Sequence, residues 1–159
     1  MRRTMLFLPS NNPNMLINGG QLGADSLIFD LEDAVSPDEK DAARELLKNT
    51  LESLDFGKCE RIVRINGFDT DYWMEDLRAI LPLRPETIMP PKVSGAAYIH
   101  QLDEALTALE AELGIPSGST KILALLETAA GIENAYEVAC ASPRMTGLFL
   151  GAEDLTADL

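Results

Sequence analysis

Ser26-Leu27-Ile28-Phe29-Asp30-Leu31-Glu32-Asp33 joins a short apolar run directly to three carboxylates. A run this short suits a buried strand, and the acidic end marks where that strand leaves the core. Ser36-Pro37-Asp38-Glu39 follows and reads as a helix start. Ser36 can cap, Pro37 suits the first helical position, and Glu39 completes a capping box. Ala43, Leu46, Leu47, Leu51 and Leu54 then recur at helical spacing. On the other side, Met5-Leu6-Phe7-Leu8 reads as an earlier strand, with a turn and helix start at Asn11-Asn12-Pro13.

The same alternation continues to the end of the sequence. Arg61–Ile65 predicts a third strand, and Trp73, Leu77, Ile80 and Leu81 form a helical stripe. Thr87-Ile88-Met89 is a fourth strand, stopped by Pro90-Pro91. Ser94 can cap a helix carrying Tyr98, Leu102, Leu106, Leu109 and Leu113, which ends at Gly114. Lys121–Leu126 is a fifth strand, Ile132, Ala135, Val138 and Ala139 mark another helix, and Gly147–Leu150 is a sixth strand. Short apolar strands separated by helices predict a parallel sheet buried on both faces. An open doubly wound sheet and a (β/α) barrel both fit. No Gly-x-Gly-x-x-Gly follows the first strand, so the dinucleotide-binding form of the open sheet has no support. A barrel takes eight strands and typically about 250 residues. With six strands and no clear helix after the last, the expectation is one incomplete domain over residues 1–159.

Composition narrows the function. The 159 residues are 46% hydrophobic and 25% charged, enough to bury one core. A net charge of -13 with no Lys/Arg cluster argues against nucleic acid and anionic membranes as partners. An anionic substrate must then be attracted locally, by a bound cation or by single Arg or Lys residues. Cys59 and Cys140 read as free thiols. The opening MRRTMLFLPS is too short in its apolar run for a signal peptide, no stretch is long enough to span a bilayer, and the expected location is cytoplasmic.

Chemistry in parallel α/β folds collects at the carboxyl ends of the strands. Those ends carry Asp30, Glu32 and Asp33, then Arg64 and Asn66, then Lys92, Glu127, and Glu153-Asp154. Glu127 ends an apolar run, where a carboxylate is costly to bury without compensation. Paired with Asp154 it would make an oxygen-only site suited to magnesium or manganese. Helix capping is the other reading, with Glu127 or Asp154 capping the helix that follows and Thr128 a further plausible cap. Arg64, flanked by Val63 and Ile65, needs an anion. It can pair with Asp30, Glu32 or Asp33, or hold a substrate carboxylate, and the two are compatible. Lys92 either adds positive charge to the rim or is simply exposed. His100, the only histidine, falls on a helix away from the strand ends, which argues against a Ser-His-Asp triad. Tyr72 and Trp73 read as core, and Glu39, Asp41, Glu104, Glu110 and Glu112 as solvated helix faces.

Several segments together resemble the citrate lyase β-subunit family. They are Met5–Pro13, Gly23–Ser26, Asp30–Val35, Val63–Asn66 with Asp69-Thr70, Pro91-Lys92, Glu127–Gly131 and Gly151–Asp154, which follow the family's order across the whole chain. The resemblance implies a TIM-type (β/α) barrel, here truncated after about six strands, from a wider group of aldolase and lyase barrels. It implies a Mg2+ site at Glu127 and Asp154, with Glu127 also contacting substrate. Arg64 would hold the substrate's carboxylate side. Glu32 and Asp33 would act near the metal through water, and Lys92 would face the substrate. It further implies cleavage of a 3-hydroxyacyl-CoA, such as citryl-CoA or malyl-CoA, to an α-keto acid and acetyl-CoA. The partners expected are a small keto acid, an acyl-CoA and further copies of the chain. Relatives continue beyond this endpoint, so a lack of lyase activity in the 159 residues alone is expected, as is an exposed edge on the sixth strand. Two other readings stay open: an aldolase acting on a free keto acid, and a non-catalytic metal- or acyl-CoA-binding protein.

Overall fold

A computed structural model describes residues 2–159. Six strands form one parallel sheet in sequence order: β1 (Met5–Pro9), β2 (Ser26–Asp30), β3 (Glu60–Arg64), β4 (Thr87–Met89), β5 (Lys121–Leu126) and β6 (Met145–Leu150). Helices α1 (Pro13–Asn18), α2 (Lys40–Ser53), α3 (Tyr72–Ile80) and α4 (Ala96–Glu112) lie between the first five strands. α5 (Ala129–Glu133) and α6 (Ala135–Cys140) precede β6, and α7 (Ala152–Asp158) follows it. The sheet is thus built from repeated strand–helix–strand units, and it does not close on itself.

Period-two alternation gives the sheet two different faces. Leu27, Phe29, Val63, Ile65, Ile88, Ile122, Ala124 and Leu126 point toward the helices, where they meet Leu47, Leu77, Ile80, Leu102 and Leu106 in the main core. The other parity puts Ile28, Ile62, Met89, Leu123 and Leu125 in a separate cluster with Met5, Phe7 and Phe149. This is the concave side, filled by side chains as in a barrel interior.

Several details differ from the sequence expectations. The helix expected from Ser36 begins with a 3-10 turn at Pro37–Glu39, and Ser36 Oγ donates to Glu39 Oε2 at 3.1 Å instead of capping the backbone. Gly95, not Ser94, precedes α4, and the Ser94 carbonyl accepts from Asn134 Nδ2 at 2.8 Å. A short helix, α7, does follow β6. Burial on both faces holds along β2 and β4 but not for β6, which has a neighbour on one side only and leaves Leu150 58% exposed. Ile132 is also exposed, and of its expected stripe only Val138 is fully buried. Trp73 packs against the core as expected, whereas Tyr72 lines a surface cleft. Glu110, expected on a solvated face, is fully buried. Cys59 and Cys140 are free thiols. Among the described residues no helix is long and apolar enough to cross a membrane.

Candidate metal and carboxylate site

The concave parity, counted onward along each strand, passes from apolar to charged at the carboxyl end. Ile28 is followed two positions later by Asp30, Ile62 by Arg64, and Leu125 by Glu127. Strand pairing sets Asp30 directly opposite Arg64. Arg64 donates from Nε to Asp30 Oδ1 at 2.7 Å and from Nη2 to Asp30 Oδ2 at 2.6 Å, a side-on fork. Its Nη1 lies 3.4 Å from Glu32 Oε2, and its plane sits 5.1 Å from the centroid of the Phe7 ring. Burial alone would lower the Arg64 pKa, but the hydrogen bonds and charge of Asp30 raise it further, so the cation is fixed. Asp30 also accepts from the backbone N–H groups of Glu32 (2.9 Å) and Ala34 (3.1 Å), which shapes the β2–α2 turn. The expected ion pair with Asp30 is thus formed along one edge of the guanidinium, and Nη1 approaches Glu32 Oε2 without a hydrogen bond to it.

Glu127 sits just past β5 and is 4% exposed. Lys92 N–H donates to its Oε1 at 2.9 Å. Burial pushes the Glu127 carboxyl above its usual range. The Lys92 N–H opposes this, nearby Asp154 and Glu32 reinforce it, and Arg64 opposes it. Thr128 caps α5 by accepting from Gly131 N–H at 3.1 Å, so the cap expected at Thr128 is formed and Glu127 is not the cap. Asp154 lies in the first turn of α7, and the residue at that helix's cap position is Gly151. Arg64, Glu127 and Asp154 share one cleft of about 270 Å³ with Asp33, Phe7 and Phe149. Lys92 and Glu32, joined by a 3.0 Å ion pair, line instead a neighbouring cavity of about 370 Å³, which shares Asp33 with the first and also holds Tyr72. Asn66 is turned away and bound to Asp76 of α3, at 2.9 Å and 2.7 Å. His100 is exposed on α4, and Glu153 is exposed on α7.

The donor set fits a hard divalent cation. The Glu127 pKa is raised first by burial and then by the charges of Asp154 and Glu32, and Glu32 Oε2 is a buried oxygen without a hydrogen-bond donor. Among the described residues no three His, Cys, Asp or Glu side chains converge into a cage. Two carboxylates with open positions for water and substrate oxygens are the usual pattern for magnesium. The largest cavity, about 1280 Å³, opens at the opposite end of the strands. Its central carboxylate is already satisfied: Glu60 accepts from Arg2 at 2.6 Å, and from Ser26 and Thr87 at 2.8 Å each. The smaller cleft is the one that gathers Glu127, Asp154 and Arg64.

One residue of the site carries no signal in a search for charged groups. A Cβ added to Gly151 would lie 2.8 Å from Glu127 Oε2 and 2.9 Å from Glu127 Cβ. Only a glycine lets the carboxylate lie over the β6–α7 turn. Gly151→Ala is expected to displace Glu127 and to weaken divalent-cation binding at least about tenfold. The loss of overall stability should stay near the overpacking range of about 1–3 kcal/mol. Titration calorimetry with Mg2+, alongside urea unfolding, checks both values.

The family model for HpcH/HpaI aldolase/citrate lyase matches residues 3–159. The citrate lyase subunit beta of Leuconostoc mesenteroides subsp. cremoris is 48% identical over 159 residues, covering 100% of this chain and 53% of that protein. A (3S)-malyl-CoA thioesterase of Cereibacter sphaeroides is 44% identical over 157 residues, covering 99% of this chain and 51% of the relative. The crystal structure of CitE from Mycobacterium tuberculosis with magnesium, acetoacetate and coenzyme A superposes with a TM-score of 0.76 at 34% identity, over 99% of this chain and 52% of that one. The chain thus spans about half the length of the relatives it matches. With a family match over nearly every residue, and the same alternating parallel fold in the solved relatives, the chain belongs to the HpcH/HpaI aldolase/citrate lyase family.

Proposed function

We propose that this chain carries the metal- and carboxylate-holding part of a magnesium-dependent carbon–carbon lyase acting on a 3-hydroxyacyl-CoA thioester. The observation that carries the proposal is the convergence of Arg64, Glu127 and Asp154 in one cleft at the carboxyl ends of the strands. Glu127 and Asp154 would hold Mg2+. The ion would polarise the oxygen on the carbon that becomes the ketone. The free end of Arg64 would orient the carboxylate of the keto-acid half. Asp30 keeps the Arg64 fork in place, and Glu32 and Asp33 would hold water beside the site. In the cleavage, the 3-hydroxyl loses its proton and the bond between carbons 2 and 3 breaks. Carbon 3 becomes the keto group, and the electron pair forms the thioester enolate. Carbon 2 then takes a proton to give the acetyl thioester.

Magnesium is supported by the solved CitE complexes and by the burial of Glu127 in one cleft with Asp154. Thioester chemistry is supported by the coenzyme A complex of CitE and by the malyl-CoA thioesterase relatives. Those relatives also favour a second reading, hydrolysis of the thioester.

Mg2+ at a hundredfold excess over its Kd should stabilise the folded chain by about 2.7 kcal/mol, read as a rise in Tm. Glu127→Gln should remove that rise while leaving the metal-free Tm unchanged or higher, since a raised carboxyl is relieved by neutralisation. An equal Mg2+ response in Glu127→Gln would overturn the metal assignment. With malyl-CoA as probe, release of a keto acid favours the lyase, and release of free thiol without keto acid favours the hydrolase.

A further inference from the structure

Lys92 is one of two described non-glycine residues with positive φ, at 51°. The other, Arg84, closes a 3-10 turn. A left-handed lysine is an unusual backbone state that needs a reason, and such states cluster at ligand sites. The neighbours are fixed on both sides. Leu125 N–H donates to the Pro90 carbonyl at 3.1 Å, and Val93 N–H donates to the Leu125 carbonyl at 3.2 Å. Between these two ties, the chain turns so that Lys92 N–H meets Glu127 Oε1 while its ammonium meets Glu32 Oε1 at 3.0 Å. From the other side, the position of Glu127 Oε2 is allowed only by the missing side chain of Gly151.

We infer that residue 92 is a positioning residue, not a substrate ligand: its left-handed backbone occupies Glu127 Oε1 and thereby presents Oε2 to the cleft. The side chain has a separate duty. The ammonium partly neutralises Glu32, whose other oxygen lies beside Arg64. Its charge is spent on Glu32. The inference rests on the proposed metal site for its purpose, though not for its geometry.

The test separates backbone from side chain. Lys92→Gly keeps the N–H and the freedom to adopt positive φ, and removes the side chain with its ammonium. Lys92→Val also removes the ammonium, and its β-branch opposes positive φ. The first readout needs no metal: hydrogen exchange of the residue-92 amide, followed by NMR. Its protection should persist in Lys92→Gly, and be lost in Lys92→Val and in Glu127→Ala. The second readout is Mg2+ affinity by calorimetry. It should not weaken in Lys92→Gly, and should weaken at least about fivefold in Lys92→Val. Equal amide protection in the glycine and valine variants would overturn the inference, as would equal loss of Mg2+ affinity in both. Should the unmodified chain show no Mg2+ response, the proposed function fails. The amide readout then decides the role of residue 92 by itself.

Discussion

Arg144→Ala is expected to destabilise the chain by about 3–5 kcal/mol, the range for removing one partner of a buried ion pair. Arg144 is 3% exposed, and every one of its nitrogens is used. Nη1 and Nη2 meet Glu110 at 2.9 Å and 2.8 Å, Nε meets Asp103 at 2.5 Å, and the remaining donors reach Thr107 and the Thr120 carbonyl. Glu110, fully buried, also accepts from the N–H groups of Gly118 and Thr120. The network ties the end of α4 to the starts of β5 and β6, at the opposite end of the sheet from Glu127. Burial alone would raise the Glu110 pKa, but the Arg144 guanidinium and the backbone donors bring it down to about 2. A carboxylate unfolds to a value of about 4.3. Its contribution is therefore complete above that value and is lost as pH falls toward about 2. In Arg144→Ala the sign reverses, because protonating the stranded Glu110 relieves its burial. The gap in unfolding free energy between the unmodified chain and the variant should be largest at neutral pH and narrow at pH 3. Urea denaturation at both pH values measures it. A gap under about 1 kcal/mol, or one independent of pH, would contradict the buried-pair account.

Glu110 also shows where the sequence was hard to read. It falls between Leu109 and Ala111 on a helix rich in Glu, with Glu104 and Glu112 nearby, and nothing local separates it from its solvated neighbours. What decides its environment is Arg144, 34 residues away. The strands were legible for the opposite reason. β4 and β5 coincide with their apolar runs because each is bounded by polar or turn residues and buried on both faces. The helix after β5 was legible only as a stripe, since α5 and α6 are short and much of their surface is exposed. At the site, charged residues at strand ends were visible as candidates, and the Arg64 pairing with Asp30 follows from one-to-one strand register. The contributions of Gly151 and of the Lys92 backbone were not visible. One acts by lacking a side chain and the other through φ, and neither leaves a compositional trace.

Arg64 is the place where folding and the proposed chemistry make the same demand. Arg64→Ala should cost about 3–5 kcal/mol, because Asp30 is 1% exposed and would keep only two backbone donors for a buried charge. Arg64→Lys keeps the charge but not the planar fork, and should lose about 1.5–3 kcal/mol with the missing charged hydrogen bond. Stability alone would not separate a structural arginine from one that also grips substrate. A double-mutant cycle with Asp30→Ala does the first half: contact at 2.6 Å predicts a coupling energy of about 1–3 kcal/mol. Oxaloacetate binding in the presence of Mg2+ does the second half. Asp30 uses Nε and Nη2, and the Nη1 end remains at the cleft, so Arg64→Lys should lose keto-acid affinity by more than about tenfold at temperatures where it is still fully folded. The Mg2+ affinity of the same variant should change little, because Glu127 and Asp154 are intact. Keto-acid affinity that survives Arg64→Lys would leave Arg64 as the counter-ion of Asp30 alone and would overturn its assignment as the carboxylate grip.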